Sequence, residues 1–383
     1  MTARIIFFPV GNGDMTLIET ESGKKILIDS RIRKADDYPD VLSMLRERLT
    51  RDSAGRLFID LFVWSHPDED HCQGMNDCFH LGLPENWSSQ KDLIFINEIW
   101  SSPLVYRRAD KNHKLCDAAK ALNAEIKRRV NRYKEERSMS AGNYVLIMCE
   151  DEGDKTTDIP EIVLKLDQTI NCINGKSDST FEGVLLGPSP KSDLEEEEDN
   201  LGKNHSSVIF NYKIFGGNKN AHFLSAGDAE VVCWEALNNR MKTNKTETNL
   251  EYDILQAPHH CSWHSMSHDS LSDKGDQAKT SDEAISALSH AKNRAFIISS
   301  SNTIEDDDND PPAYRAKQEY QKILEPVGGS FKCVDDHKKN GANVPLVIEI
   351  SSDGLKLIPA SGIAKSSSSG ASAVNRRGGD GYA

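Results

Sequence analysis

Apolar residues in this chain recur in short runs that stop at polar residues, a pattern typical of strands in layered sheet structures. The clearest run covers residues 57–64, where apolar, β-branched and aromatic residues follow one another and predict a buried strand. Similar runs predict strands over residues 4–10, 15–20, 24–30, 92–100, 162–166, 181–188, 206–212, 222–228, 253–257, 294–300 and 344–350. The turn residues 21–23 and 216–218 predict that the strands on either side of them pair as hairpins.

Two segments show helical periodicity instead. Residues 38–49 place Val41, Leu42 and Leu45 on one face, and residues 107–137 repeat apolar residues at the same spacing. Because helical segments alternate with predicted strands, we expect an α/β fold in which outer helices cover the sheets.

The second predicted helix carries a concentrated group of cations in an otherwise acidic chain. Its basic residues are Lys120, Lys127, Arg128, Arg129, Arg132 and Lys134. They indicate either a surface for a substrate or a protein partner, or a solvated helix with internal ion pairs. The sequence leaves both interpretations open.

The 383 residues carry a net charge of −14, which disfavours a broad non-specific nucleic-acid surface but allows a local basic groove. No apolar run reaches membrane-spanning length and no signal peptide is evident, so we expect a cytoplasmic protein without a membrane segment. The eight cysteines include no Cys-x-x-Cys pair, as is typical of free thiols in a reducing compartment. Acidic residues 193–200 and 305–310 predict solvated loops, and residues 361–383 predict a disordered Ser/Gly-rich tail.

Four potential metal ligands lie together after the strand predicted at residues 57–64: His66, Asp68, Asp70 and His71. Pro67 ends the strand and turns the chain, so we expect these side chains to leave the sheet edge together. Imidazole and carboxylate groups are the donors that divalent zinc, manganese or iron accept. We therefore interpret this loop as metal-binding rather than as a solvated polar turn.

Other polar residues follow apolar runs in the same way, namely Asp29, Asp228 and the pair His259-His260. Strand ends on one edge of a layered sheet form a shared rim where loops converge. The repeated placement predicts one site in which ligands from distant parts of the sequence meet.

These motifs resemble the metallo-β-lactamase superfamily, and most closely the hydrolase domain of ComEC-like competence proteins and its stand-alone relatives. The matching segments, in the order of the family, are Gly11-Asn12-Gly13-Asp14, Ile28-Asp29, Ser65-His66-Pro67-Asp68-Glu69-Asp70-His71, Asn204-His205-Ser206-Ser207-Val208, Leu224-Ser225-Ala226-Gly227-Asp228 and Asp253-Ile254-Leu255-Gln256-Ala257-Pro258-His259-His260. The resemblance implies an αββα sandwich over residues 1–360, with a helical insertion at about 105–140 and a site for two divalent metal ions on its rim.

The resemblance also implies roles for the donors. His66 and Asp68 hold one metal, Asp70 and His71 hold the other, and Asp228 bridges the two. Three further residues complete the implied site: His259 as a ligand, His205 as a ligand or polar contact, and Asp29 as a residue that orients ligating histidines. Asp70 and His260 are the predicted catalytic residues, with His260 as a proton donor.

The sequence departs from the family pattern at two places in this site. Asp68 replaces the second histidine of the usual His-x-His-x-Asp-His motif, and this harder donor shifts the expected metal from zinc towards manganese or magnesium. The usual His-His-Gly-Ser becomes His259-His260-Cys261-Ser262, which loses a glycine.

The expected activity is hydrolysis by a metal-bridged hydroxide, because two adjacent divalent ions lower the pKa of a shared water. A nucleic acid or nucleotide phosphodiester is the expected substrate, on the strength of the resemblance and the basic helix. Two alternatives stay open: a hydrolase of small nucleotides, phosphoesters or esters, and a metal-stabilised interaction module with little catalysis. The sequence does not predict the oligomeric state.

Overall fold

The computed structural model describes residues 2–34, 37–104, 114–151, 154–189 and 202–362. Its strands are β1 (Ala3–Phe7), β2 (Thr16–Glu19), β3 (Lys25–Ile28), β4 (Ser30–Arg31), β5 (Thr50–Arg51), β6 (Leu57–Trp64), β7 (Phe79–His80), β8 (Ile94–Ser101), β9 (Tyr144–Met148), β10 (Val163–Leu164), β11 (Thr169–Ile170), β12 (Cys172–Ile173), β13 (Lys176–Ser177), β14 (Phe181–Leu185), β15 (Phe210–Gly216), β16 (Lys219–Ser225), β17 (Tyr252–Gln256), β18 (Ala291–Ser299), β19 (Ser330–Cys333), β20 (Lys338–Lys339), β21 (Ala342–Asn343), β22 (Leu346–Ser351) and β23 (Gly354–Ile358). Its α-helices are α1 (Val41–Arg46), α2 (Glu69–Cys72), α3 (Met75–Cys78), α4 (Asp117–Glu136), α5 (Val231–Asn244), α6 (Leu271–Lys274), α7 (Asp282–Leu288) and α8 (Tyr314–Leu324).

The larger sheet runs in the order β10-β9-β8-β6-β3-β2-β1-β22-β23, with β5 paired to β6 and β7 paired to β8. Strands β3, β6, β8 and β9 are parallel, whereas β1 and β2, and β2 and β3, pair antiparallel. The parallel strands therefore end at one edge of the sheet, and the turn from β1 to β2 lies at the same edge.

The smaller sheet runs in the order β11-β14-β15-β16-β17-β18-β19. Strands β16, β17, β18 and β19 are parallel, so this sheet also gathers several strand ends at one edge. The predicted hairpin at residues 216–218 is confirmed, since Gly216 pairs with Lys219 across a two-residue loop.

Alternating side chains show how the sheets and helices pack. On β1, Ile5 and Phe7 join a buried cluster with residues of the smaller sheet, and the Phe7 ring meets Phe223 at 5.7 Å with an interplanar angle of 88°. Ile6 points the other way, into a cluster with side chains of α1 and α4. In the smaller sheet, Leu224 joins a third cluster with residues of α5, α7 and α8. The predicted α/β class, with helices packed against sheets, is confirmed.

Several sequence predictions agree closely with these elements. The strand predicted at 57–64 is β6. The helix predicted at 38–49 is α1, which is shorter, at six residues, with Val41 and Leu45 buried. Strands β9, β19 and β23 and helix α5 were not predicted. No helix of the described ranges is long and apolar enough to cross a membrane.

The predicted long helix at 107–137 is shorter in the structure. It begins at Asp117, where the Cys116 side chain accepts a hydrogen bond from the Ala119 N–H, and it ends at Glu136. Residues 105–113 lie outside the described residues, as do the acidic run at 193–200 and residues 363–383 of the predicted tail.

The basic face of this helix is largely engaged in ion pairs. The placement of Arg129 among surface cations is wrong: only 2% of this residue is exposed, and its guanidinium binds Glu125 and three backbone carbonyls. Arg128 also binds Glu125. The remaining pairs are Lys120–Asp117, Arg132–Glu136 and Lys134–Asp158. This pattern favours the internal ion-pair interpretation for these cations.

Candidate metal centre

The strand ends of the larger sheet supply one side of the site. Asp29 follows β3, and Ser65 and His66 follow β6, which pairs in parallel with β3 through Ile28 and Val63. The Asp29 N–H continues this pairing by donating to the Val63 carbonyl at 3.0 Å. Parallel alignment thus brings Asp29 and His66 to the same edge, as the sequence predicts.

The smaller sheet supplies the other side. Asp228 follows β16, and His259 and His260 follow the parallel strand β17. The His259 N–H donates to the Gly227 carbonyl at 3.0 Å, which holds the two loops together. His259, His260 and Cys261 all adopt left-handed backbone conformations, with φ of 50°, 54° and 71°.

One group of potential metal ligands consists of Asp14, His71, Asp228 and His260, all buried. Asp228 Oδ1 lies 3.0 Å from His71 Nε2 and 3.3 Å from His260 Nε2. Asp14 Oδ1 lies 3.4 Å from His260 Nδ1. One donor atom from each of the four residues lies within 4.8 Å of the others, a spacing that a single cation can span.

A second group consists of His66, Asp68 and Asp228. Asp228 belongs to both groups, but here its other oxygen faces the neighbouring donor: Asp228 Oδ2 lies 3.3 Å from His66 Nε2. The Asp68 Oδ2 atom lies 3.7 Å from His66 Nε2, and His259 Nε2 lies 3.7 Å from Asp228 Oδ2. Asp228 therefore turns one oxygen to each group.

Several buried donor atoms of these groups have no hydrogen-bond partner within the described residues: Asp14 Oδ1, His66 Nε2, Asp228 Oδ1 and His260 Nδ1. A buried polar atom without a partner costs about 1–3 kcal/mol, so a cluster of them calls for an explanation. Coordination to cations would supply it, because imidazole nitrogen and carboxylate oxygen are ordinary ligands of zinc and manganese. The residues present fit a metal centre.

The charges of the cluster depend on one another. Burial and the neighbouring His71 both lower the pKa of His66. The Asp228 and Asp68 carboxylates outweigh these effects and raise the pKa of His66 to about 9. Burial also opposes charge on His260, whose pKa the carboxylates of Asp228, Asp14 and Asp70 raise to about 10. In turn, the histidines around Asp228 overcome its burial and hold its pKa well below its usual range. The site therefore stabilises positive charge between its carboxylates.

Asp29 binds the ring nitrogen of His71 that faces away from Asp228. Its carboxylate accepts hydrogen bonds from the Ser65 N–H at 2.8 Å, from the Ser65 hydroxyl and from His71 Nδ1 at 2.8 Å. With the proton on Nδ1, the lone pair of His71 Nε2 faces Asp228 and His260. This is the arrangement expected of the orienting residue implied by the resemblance.

The other two residues of the sequence prediction lie at the periphery of the cluster. Asp70 lies at the opening, with 30% of its side chain exposed and Oδ2 3.3 Å from His260 Nε2. His205 accepts a hydrogen bond from the Gly202 N–H and lies 3.4 Å from Glu230 Oε2. Among the described residues, the two groups leave out three of the predicted metal ligands, namely Asp70, His205 and His259.

Asp14 is the member of the site that the sequence analysis did not assign. It ends the segment Gly11-Asn12-Gly13-Asp14, which matches the family motif, and that match was the available signal. In the structure the Asp14 N–H donates to the Asp70 carbonyl at 3.2 Å, which fixes the turn against the metal-ligand loop. A Cβ on Gly13 would lie 3.0 Å from the same carbonyl, so a side chain there would push the turn away.

No family model matches the sequence, and no curated protein matches it. A comparison with solved structures matches unliganded yeast PDE1 at 11% sequence identity, covering 87% of this chain and 96% of that chain, with a TM-score of 0.40. At that TM-score the similarity carries no argument about fold or activity.

Proposed function

We propose that this chain is a metal-dependent hydrolase of the αββα metallo-β-lactamase type, that it uses two divalent metal ions, and that its substrate is a phosphodiester. The observation that carries the proposal is the position of Asp228, whose two carboxylate oxygens face two separate groups of buried donors. Two donor groups joined by one carboxylate are the expected environment of a dinuclear centre.

The metals implied are zinc or manganese, with magnesium also possible. When bound, such ions lower the pKa of a coordinated water and neutralise charge that develops on a phosphoryl oxygen. His71 and His260 would hold one ion together with Asp14 and Asp228. His66 and Asp68 would hold the other, on the second oxygen of Asp228.

Residues outside the two donor groups would orient the ligands and transfer protons. Asp29 fixes the ring of His71, and the partly exposed Asp70 lies at the opening beside His260. His259 has 17% of its side chain exposed whereas His260 has only 1%, so His259 is better placed to exchange a proton with a substrate. We therefore assign proton donation to His259 and metal binding to His260.

A cation at the rim supports an anionic substrate. Lys203 Nζ lies 2.5 Å from Asp68 Oδ2, and 36% of the Lys203 side chain is exposed. The ammonium group thus lies beside a donor of the second group and on a side chain that is partly open to solvent, where it could also bind a phosphate oxygen. A neutral ester would make no use of this charge.

The size of the substrate separates two candidates. Most of the cations on α4 are paired with acids or buried, and the chain carries a net charge of −14. Both features disfavour a polymeric substrate and favour a small phosphodiester such as a cyclic nucleotide or a dinucleotide. A polymer-binding nuclease loses affinity steeply as salt rises, whereas a small-substrate enzyme loses far less.

The test is a panel of nucleic acids, nucleotide phosphodiesters and carboxylic esters, assayed with added manganese, zinc or magnesium at low and high salt. Wild type is compared with Asp228→Ala and with Asp60→Asn, which changes a buried carboxylate of β6 that binds Lys24 and the Lys25 N–H instead of the site. We expect metal-dependent phosphodiester turnover that Asp228→Ala abolishes and Asp60→Asn retains. Equal turnover by wild type and Asp228→Ala, or no turnover with any metal, would contradict the proposal.

A further inference from the structure

Two thiols lie in contact beside the metal-ligand loop. Cys72 Sγ is 3.6 Å from Cys116 Sγ, although the residues are 44 positions apart in the sequence. Cys72 ends the short helix α2, which carries Asp70 and His71, and Cys116 lies at the beginning of the 20-residue helix α4. The two helices pack against each other, so the contact joins the metal-ligand loop to a long, firmly packed helix.

The surroundings give the two sulfurs different roles. Cys72 is buried and Cys116 is half-buried, so a reagent from solvent reaches Cys116 first. The Ala119 N–H donates to Cys116 Sγ at 3.3 Å, and the positive end of the α4 dipole favours a thiolate at this position. The contact with Cys72 and these backbone donors lower the pKa of Cys116 to about 6.

We propose that Cys72 and Cys116 form a modification site for peroxides, at which oxidation produces a reversible disulfide between α2 and α4. In the first step the Cys116 thiolate attacks a peroxide oxygen: an S–O bond forms, the O–O bond breaks and hydroxide leaves. In the second step Cys72 sulfur attacks Cys116 sulfur: the S–S bond forms, the S–O bond breaks and water leaves with the Cys72 proton. Two thiols are oxidised and one hydrogen peroxide is reduced to two waters.

The bond has a predictable effect on the neighbouring site. A disulfide requires the sulfurs to approach from 3.6 Å to about 2.05 Å. Helix α4 is anchored by the buried Arg129–Glu125 pair, whereas α2 has only four residues. The movement therefore falls mainly on α2, and the Cys72 Sγ contact with the Asp68 carbonyl, 3.2 Å in this structure, is lost. This second part of the inference rests on the proposed metal centre; the disulfide itself does not.

The full-length reduced protein is treated with one equivalent of hydrogen peroxide, and its peptides are mapped by mass spectrometry without reduction. We expect a peptide linked through Cys72 and Cys116, a fall from eight free thiols to six, and recovery of all eight with dithiothreitol. Cys116→Ser, which retains a good helix N-cap, must abolish the link. Cys172→Ser, which removes another half-buried thiol on β12, must leave it intact.

Failure to detect the Cys72–Cys116 link in the oxidised wild type would overturn the proposed site. So would Cys116 found only as sulfinic acid, or joined to another cysteine. Coupling to the metal centre is measured separately, as the rise in melting temperature with added Mn²⁺. We expect a smaller rise in the oxidised protein than in the reduced protein, and no effect of peroxide in Cys116→Ser. A linked protein with an unchanged rise would overturn the coupling alone.

Discussion

His71 Nδ1 donates a hydrogen bond of 2.8 Å to Asp29 Oδ2, across 42 residues of sequence and at the edge where β3 and β6 end. The bond fixes which nitrogen of His71 faces the other donors, so Asp29 sets the orientation of a proposed metal ligand that it supports from outside the donor groups.

Asp29→Asn should weaken metal binding by about 10- to 100-fold, the usual effect of losing a carboxylate behind a ligating histidine. The amide no longer accepts from both Ser65 and His71, so the imidazole loses its preferred orientation. Titration calorimetry with Mn²⁺ or Zn²⁺ measures the change. Asp60→Asn serves as the matched buried control, and a similar loss in both variants would assign the effect to folding instead.

Asp228→Asn should abolish the stabilisation of the protein by metal. Chelation with EDTA should lower the melting temperature of metal-loaded wild type but not that of the variant, because metal binding stabilises only the state that binds it. Asp253→Asn is the control, since Asp253 binds the His222 N–H and Lys292 away from the site. If Asp228→Asn keeps a full metal complement by elemental analysis, the carboxylate does not bridge two ions.

Lys203→Gln should raise the KM for an anionic phosphodiester by about 10-fold or more, since a hydrogen bond to a charged group contributes roughly 1.5–3 kcal/mol. The rate constant kcat should change much less, and turnover of a neutral ester should not change. Lys213→Gln is matched in exposure, at 32% against 36%, but pairs with Glu182 instead of a site residue. Parallel losses for charged and neutral substrates would contradict a role in binding phosphate.

Cys261→Gly should be more stable than Cys261→Ala. Cys261 has φ of 71°, and the left-handed region costs a residue with a Cβ roughly 1–2 kcal/mol, against about 0.5–1 kcal/mol of backbone entropy lost by glycine. Chemical denaturation of both variants should therefore favour glycine by up to about 1 kcal/mol. Cys333 lies in strand β19 and has no positive φ, so there the alanine variant should be more stable than the glycine variant.

Sequence reasoning was most successful where the signal is local. His66, Asp68, Asp70 and His71 lie within six residues after a strand, and the break at Pro67 can be recognised without the rest of the fold. Asp14 was not assigned because its role depends on the β1–β2 turn docking against the Asp70 carbonyl, a contact between loops that strand periodicity does not predict.

Arg129 shows a second limit of prediction from the sequence. Helical periodicity places its cation on a polar face, but the buried carboxylate of Glu125 and three carbonyls of the neighbouring strands compensate its charge in the core. The contact between Cys72 and Cys116 likewise depends on where α4 begins, ten residues later than the periodicity of the segment suggested.

Each donor group draws residues from both sheets, and the His71 and His260 nitrogens that face each other are 189 positions apart. During synthesis, the larger part of the chain must therefore leave the ribosome before either cation site can close. Metal uptake would then report the last stage of folding, when the sheets dock, and a nascent chain halted before β16 would carry the His66–His71 loop without Asp228 or His260 to complete either donor group.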